Sequence, residues 1–180
     1  MTVAVASGKG GTGKTTVAVN LALTLDGPVE LLDCDVEEPN AHLFLRPRWT
    51  STRTVSVPVP EVDEELCTAC GACGSACRFH AIVSLKTQPL VIPELCHGCG
   101  ACALACPVRG IREVPRAVGV LEGGQSDGIR FVHGRLKVGV AMSGPLIRAV
   151  KGEASFSRIT LIDAPPGTSC PVVATVRGSD

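Results

Sequence analysis

The chain has 180 residues, including ten Cys, one Trp, four Phe and no Tyr, and its 17 Lys+Arg are matched by 17 Asp+Glu. Zero net charge removes the electrostatic basis for non-specific nucleic-acid binding, a hydrophobic content of 45% excludes a chain disordered throughout, and no apolar run approaches the roughly 18 residues of a membrane-spanning helix. The apolar start is too short for a signal-peptide core and has no basic residues before it, which implies a cytoplasmic protein and makes metal ligation, rather than disulfides, the expected use of the cysteines.

Val3–Ala6 reads as a short buried strand and Ser7–Gly13 as a glycine loop. Lys14–Leu25 reads as a helix, with Val17, Leu21 and Leu25 at helical spacing. Gly8-Lys9-Gly10-Gly11-Thr12-Gly13-Lys14-Thr15 matches G-x-x-x-x-G-K-[ST]. Glycines at these positions let successive N–H groups turn toward one anion, and the helix that follows adds its positive end. Residues Gly8 to Thr16 are therefore the expected nucleotide-binding segment, with Lys14 on the β/γ-phosphates and the Thr15 hydroxyl on Mg²⁺. Gly27-Pro28 ends the helix, and Val29–Leu32 is a second strand running into Asp33-Cys34-Asp35. The two acids sit where open α/β sheets bind ligands; capping of the next turn is the structural alternative. This strand–helix–strand start is a βαβ unit.

The pattern changes near Arg46, with a strand expected at Thr54–Val57. Eight of the ten cysteines then fall between Cys67 and Cys106, in two runs offset by 29 residues. Cys67, Cys70, Cys73 and Cys77 fit C-x2-C-x2-C-x3-C, and Cys96, Cys99, Cys102 and Cys106 fit it again, with Pro107 following. In such runs the fourth thiolate serves the other cluster. The expected ligation is therefore crossed: Cys67, Cys70, Cys73 and Cys106 on one [4Fe–4S] cluster, and Cys96, Cys99, Cys102 and Cys77 on the second. Zinc also uses C-x2-C pairs, but two complete four-Cys runs argue against it. Arg78 stands where the first run would carry Pro. His97 reads as exposed or hydrogen-bonded near sulfur, His42, His80 and His133 as structural, Cys34 as a small buried hydrophobe and Cys170 as structural.

Gly128–Val132 and Arg135–Val140 read as strands paired across a turn at Gly134, Pro145–Lys151 as a helix, and Arg158–Ile162 as a buried strand ending at Asp163. The expected layout is residues 1–60 for the start of a nucleotide domain, 61–114 for a cysteine insert and 115–180 for the domain's continuation.

Lys9 to Thr16 resembles the deviant Walker A motif of the MinD/ParA/nitrogenase-iron-protein group. Asp163-Ala164-Pro165-Pro166-Gly167 resembles its Walker B and switch II region. In this order, the pieces resemble MinD-superfamily P-loop ATPases carrying an inserted two-cluster ferredoxin domain. The resemblance implies a parallel α/β P-loop sheet flanked by helices and interrupted by an α+β ferredoxin-like insert. It also implies an ATP-bound homodimer in which Lys9 reaches the partner's nucleotide. Lys9, Lys14 and Asp35 would be catalytic, with Asp35 orienting water, and Thr15, Asp33 and Asp163 would hold Mg²⁺. Gly167 would turn its N–H toward the γ-phosphate. Family members run on past this length, which implies a truncated chain of reduced or no activity, with Val3–Ala6 left as a sheet edge. The function expected is a nucleotide-dependent dimer switch coupled to electron transfer to a redox partner. The alternative is an iron–sulfur carrier or assembly scaffold ATPase serving an acceptor protein.

Overall fold

The computed structural model describes residues 1–155 and 157–180. It divides into two compact units, Met1–Val55 with Val118–Asp180, and Ser56–Ala117.

The first unit opens with β1 (Thr2–Val5), α1 (Lys14–Thr24), β2 (Val29–Asp33) and α2 (Ala41–Leu45). It leaves through the start of β3 (Arg48–Val62) and returns through the end of β6 (Ile111–Ser126). It closes with β7 (Ile129–Leu136), α5 (Gly144–Lys151), β8 (Ile159–Asp163) and α6 (Cys170–Val176). The sheet order is β1-β8-β2-β7-β6-β3. Pairing is parallel from β1 through β8 and β2 to β7, and antiparallel between β7 and β6. The sheet is therefore mixed: parallel, as the resemblance implies, from β1 to β7, with an antiparallel hairpin added. Among the described residues β1 is an edge strand, with β8 as its only neighbour in the sheet.

Every residue of β2 is buried, the acidic Glu30 and Asp33 along with Val29, Leu31 and Leu32, as a strand inside a parallel sheet covered on both faces is; the Glu30 carboxylate is paired with Arg130 at 2.8 Å and accepts from the Thr160 hydroxyl at 2.7 Å. Alternate residues face opposite layers. Leu31, Phe131 and Leu161 pack with Ala18, Val19 and Ala22 of α1 and with Ala41 and Leu45 of α2. The face of α1 is only partly the one read from its large side chains, since Leu21 and Leu25 pack against this core and Val17 does not. Val17 is 55% exposed, while the small Ala18 and Ala22 let the helix approach the sheet. The turn expected at Gly134 also lies elsewhere. Asp127 and Gly128, with φ of 46° and 83°, make the β6–β7 hairpin in the manner of a type I′ turn. Gly134 lies within β7, where a Cβ would meet Leu146 Cγ at 2.8 Å, Val36 Cγ1 at 2.9 Å and Val150 Cγ2 at 3.0 Å. Glycine is required there by close packing of α5, not by a bend. β3 is also much longer than the expected Thr54–Val57.

The second unit contains α3 (Ala72–Ala76), the hairpin β4 (Ile82–Val83) with β5 (Leu90–Val91), and α4 (Ala101–Ala105), besides the inner ends of β3 and β6. The 29-residue sequence offset is also a structural offset. α3 and α4 are related by it. So are Ala69 and Gly98, Gly71 and Gly100, and His80 and Arg109, all with positive φ. The Asp63 N–H donates to Gly110 O at 2.8 Å, and Ile92 N–H to Ala81 O at 2.8 Å; these bonds exchange under the same shift. The unit is thus two copies of one turn–helix–strand motif. No helix among the described residues is long and apolar enough to cross a membrane.

Candidate functional sites

Parallel register brings the carboxyl ends of β1, β8 and β2 side by side: Val5 stands opposite Asp163, and Asp163 opposite Asp33. The glycine loop leaves β1 there and enters α1 at Gly13, whose φ is 87°. Loop hydroxyls hold it closed. Ser7 Oγ donates to Lys9 O at 2.7 Å, and Thr12 Oγ1 to Ser7 Oγ at 2.8 Å. The Lys9 side chain is exposed.

Thr15 Oγ1 donates to Asp163 Oδ2 at 2.5 Å, although 148 residues separate the two in sequence. Asp163 is fully buried, and among the described residues its Oδ1 has no hydrogen-bond partner. Burial raises its pKa, against the Thr15 hydrogen bond and the Lys14 ammonium. Asp35 is pushed up to about 6 by burial and by Asp163, with Lys14 opposing. Asp33 is pushed up to about 8 by burial and by Asp163. Buried carboxylates crowded in this way, one of them with an orphaned oxygen, are the chemistry that a cation satisfies.

The sequence-derived candidates do not all take up the arrangement expected. Lys14, Thr15, Asp35 and Asp163 come together. Asp33 is nearby, but its Oδ1 accepts the Asp35 N–H at 3.1 Å and its Oδ2 the Ala41 N–H at 3.2 Å. Its carboxylate organises the turn into α2. Gly167, expected to offer its N–H to a phosphate, donates it to Ser7 O at 3.1 Å. Cys34 is fully buried, as expected, and Cys170 is exposed.

Beyond the expected set, His133 is buried opposite Asp33 in register. Its Nε2 meets Glu122 Oε2 at 2.9 Å, its ring stacks on Trp49 with centroids 4.8 Å apart, and it meets His42 of α2 edge-on at 5.2 Å. No local pattern marks this cluster, because its members lie on separate elements.

The cysteine unit holds two cavities. One is lined by Cys67, Cys70, Cys73 and Cys106, the other by Cys77, Cys96, Cys99 and Cys102. Each ring takes three thiols from one repeat and the fourth from the other. The cavities are similar in size, about 410 and 360 Å³ of free space with their mouths included, as two copies of one motif should be. Gly110 N–H points to Cys106 Sγ at 3.3 Å in the first, and Gly98 N–H to Cys96 Sγ at 3.4 Å in the second. His97 stacks on Phe79, with centroids 3.7 Å apart and planes 13° apart. Among the described residues, no three His, Cys, Asp or Glu converge tightly enough to hold a single metal ion. Glu113 lines the second cavity and was not expected; its signal is the 29-residue shift that pairs it with Ser84 in the first.

Residues 3–163 match the family described as the CobQ/CobB/MinD/ParA nucleotide binding domain. Two uncharacterised proteins of Methanocaldococcus jannaschii are 36% and 28% identical over 185 and 191 residues. Each match covers all of this chain, which spans 65% and 66% of the two relatives' lengths. An iron-sulfur cluster carrier protein of Synechocystis is 43% identical over 65 residues, covering 34% of this chain and 18% of that protein.

Proposed function

Because the chain belongs to the CobQ/CobB/MinD/ParA nucleotide-binding family, we propose that it is an ATPase that handles iron–sulfur clusters. The first unit binds and hydrolyses Mg·ATP, and the second holds two [4Fe–4S] clusters in a carrier or assembly role. The observation that carries this reading is the pair of cavities ringed by the two crossed four-cysteine sets. Zinc needs four donors at about 2.0–2.3 Å from one point. Thiols spread around a cavity suit a polynuclear cluster, in which each sulfur binds a different iron. The carrier role draws support from the Synechocystis relative, which bears that name.

On this reading the P-loop N–H groups and the start of α1 hold the phosphates, and Lys14 neutralises charge that develops on them. Thr15 Oγ1 and the free Oδ1 of Asp163 are the groups that would hold Mg²⁺, which supplies charge neutralisation when bound. Asp33 serves it by fixing the turn that carries Asp35. Asp35, half-buried and close to Lys14, accepts a hydrogen bond from the attacking water. The exposed Lys9 is free to reach a nucleotide held by a second copy in an ATP-bound homodimer.

A second reading, nucleotide-gated electron transfer to a redox partner, is favoured by one observation. Each thiol ring is closed by the other repeat, the arrangement of electron-transferring two-cluster ferredoxins. Anaerobic reconstitution followed by mixing with an apo-acceptor separates the two. Delivery predicts that cluster absorbance leaves this chain in step with ATP turnover. Clusters that stay bound through many turnovers, with an EPR spectrum that responds to Mg·ATP, select the redox reading. Lys14→Ala should lower ATPase activity by about 10²-fold or more and leave cluster absorbance intact. A chain that takes up no iron sinks both.

A further inference from the structure

The 29-residue pseudo-symmetry makes each cavity an internal control for the other, and the two are not chemically equal. The first is lined by no charged side chain. At the position held there by Ser84, the second carries Glu113. Ser84 turns its hydroxyl inward to Gly71 O at 3.4 Å. Glu113 Oε1 comes within 3.5 Å of the point where a side chain on Gly100 would start, at the mouth of the turn between Cys99 and Cys102. The neighbouring arginines are engaged elsewhere: Arg112 with Glu61, and Arg116 with Glu94 and the Pro93 carbonyl. Among the described residues Glu113 has no ion-pair partner. Arg78, next to Cys77, does not line the second cavity.

The cavities also differ at a second pair of counterparts. Thr68 lines the first beside Cys70. Its counterpart, His97, is stacked on Phe79. Main-chain bonds from Gly110 to Cys106 and from Gly98 to Cys96 give each cavity one N–H donor on sulfur.

Cluster potential is set by net charge, hydrogen bonds to sulfur and exposure. An added electron is repelled by a nearby carboxylate as 332/(εr) kcal/mol and stabilised by donors on the sulfurs. We propose that Glu113 is a potential-setting residue that makes the cluster on Cys77, Cys96, Cys99 and Cys102 harder to reduce than its twin. The inference rests on the reading that both cavities hold [4Fe–4S] clusters. One electron from a reductant such as dithionite would then reside on the cluster held by Cys67, Cys70, Cys73 and Cys106, and an electron entering at the second would pass to the first. Glu113 thereby gives the pair a direction.

The test is a potentiometric EPR titration of the full chain after anaerobic reconstitution, with iron counted first. Two reduction steps are expected in the parent chain. Glu113→Gln, which keeps size and removes charge, should shift only the harder step, by about tenfold in its reduction equilibrium, or about 59 mV for one electron. Glu113→Ser copies the first cavity and should do the same. Ser84→Glu should move the easier step the other way. Full iron content with both steps unmoved by Glu113→Gln and Glu113→Ser, or with both moved equally, overturns the assignment to Glu113. Absence of iron overturns the cluster reading beneath it, and the inference falls with it.

Discussion

The two units bring their functional groups together by opposite means. In the nucleotide unit, Thr15 and Asp163 meet across 148 residues because a parallel sheet lines up the ends of strands that are distant in sequence. That sheet is clamped by Leu31, Phe131, Leu161, Leu146 and Ile147, all without exposed surface. In the cysteine unit, each ligand triplet is local and the partner repeat supplies the fourth thiol. That unit contributes seven of the buried apolar side chains, and three of those, Cys73, Cys96 and Cys102, are thiols. Eight of its large apolar side chains are exposed, Leu104 by 89%. The first unit builds its core from hydrocarbon. In the second the prospective ligands are the core, so whatever binds them contributes to folding free energy.

The largest expected effect follows from that contrast. Stripping iron with a chelator should melt the cysteine unit and spare the nucleotide unit. Amide exchange should find residues 56–117 unprotected in the stripped chain, while β2, β7 and β8 stay protected. Equal protection of both units before and after stripping would show that the second has a sufficient core of its own.

Gly134→Ala is the converse experiment. Its new methyl would lie within 3.0 Å of Leu146, Val36 and Val150, an overpacking that costs about 1–3 kcal/mol. Denaturant midpoints should fall for the nucleotide unit alone, with cluster absorbance retained up to that transition. A neutral result would mean that α5 yields more easily than its burial indicates.

Gly134 also marks a limit of what the sequence discloses. A glycine between apolar residues reads equally as a turn or as a site of close approach, and only the packing of α5 decides. The actual turn, Asp127-Gly128, carries the residue pair that favours positive φ at both centres. The P-loop was legible because phosphate binding fixes its spacing, and the two cysteine runs because their 29-residue repeat is written in the sequence. The separate work of Asp33 and Asp35 was not. Two acids at one strand end look alike in sequence, and only the N–H groups of Asp35 and Ala41 show which carboxylate is engaged. Likewise Glu113 is one charge among many until the repeat is superposed on itself.

A smaller effect separates the units by pH. In Mg²⁺-free buffer, Asp33 and Asp35 have folded pKa values of about 8 and about 6, raised by burial and by Asp163, above ordinary carboxylate values near 4. Acids shifted upward bind more protons folded than unfolded, so their contribution is full below about pH 4 and is lost as pH rises from there, completely by about 6 for Asp35 and by about 8 for Asp33. The melting temperature of the nucleotide unit should therefore fall by a few degrees between pH 6 and pH 8, and Mg²⁺ with nucleotide should restore it. A fall that survives in the Asp33→Asn and Asp35→Asn variants would place its origin elsewhere.

The smallest effect tests the symmetry of the cysteine unit. Ala69 and Gly98 occupy the same place in the two runs and share a left-handed backbone, with φ of 54° and 64°. At Gly98 the reason for glycine is double, since a Cβ would also meet Pro58 O at 2.9 Å. At Ala69 the left-handed backbone costs about 1–2 kcal/mol for a residue with a Cβ. Glycine there would remove it, but it loses more freedom on folding, about 0.5–1 kcal/mol relative to alanine. The difference leaves Ala69→Gly stabilising by about 0.5 kcal/mol, whereas Gly98→Ala should destabilise by more than that, since it adds a clash to the same strain. Denaturation of the iron-loaded chain, followed by loss of cluster absorbance, measures both. Equal and opposite shifts would mean that backbone conformation alone distinguishes the two turns. A larger loss at Gly98 would assign the excess to the Pro58 carbonyl.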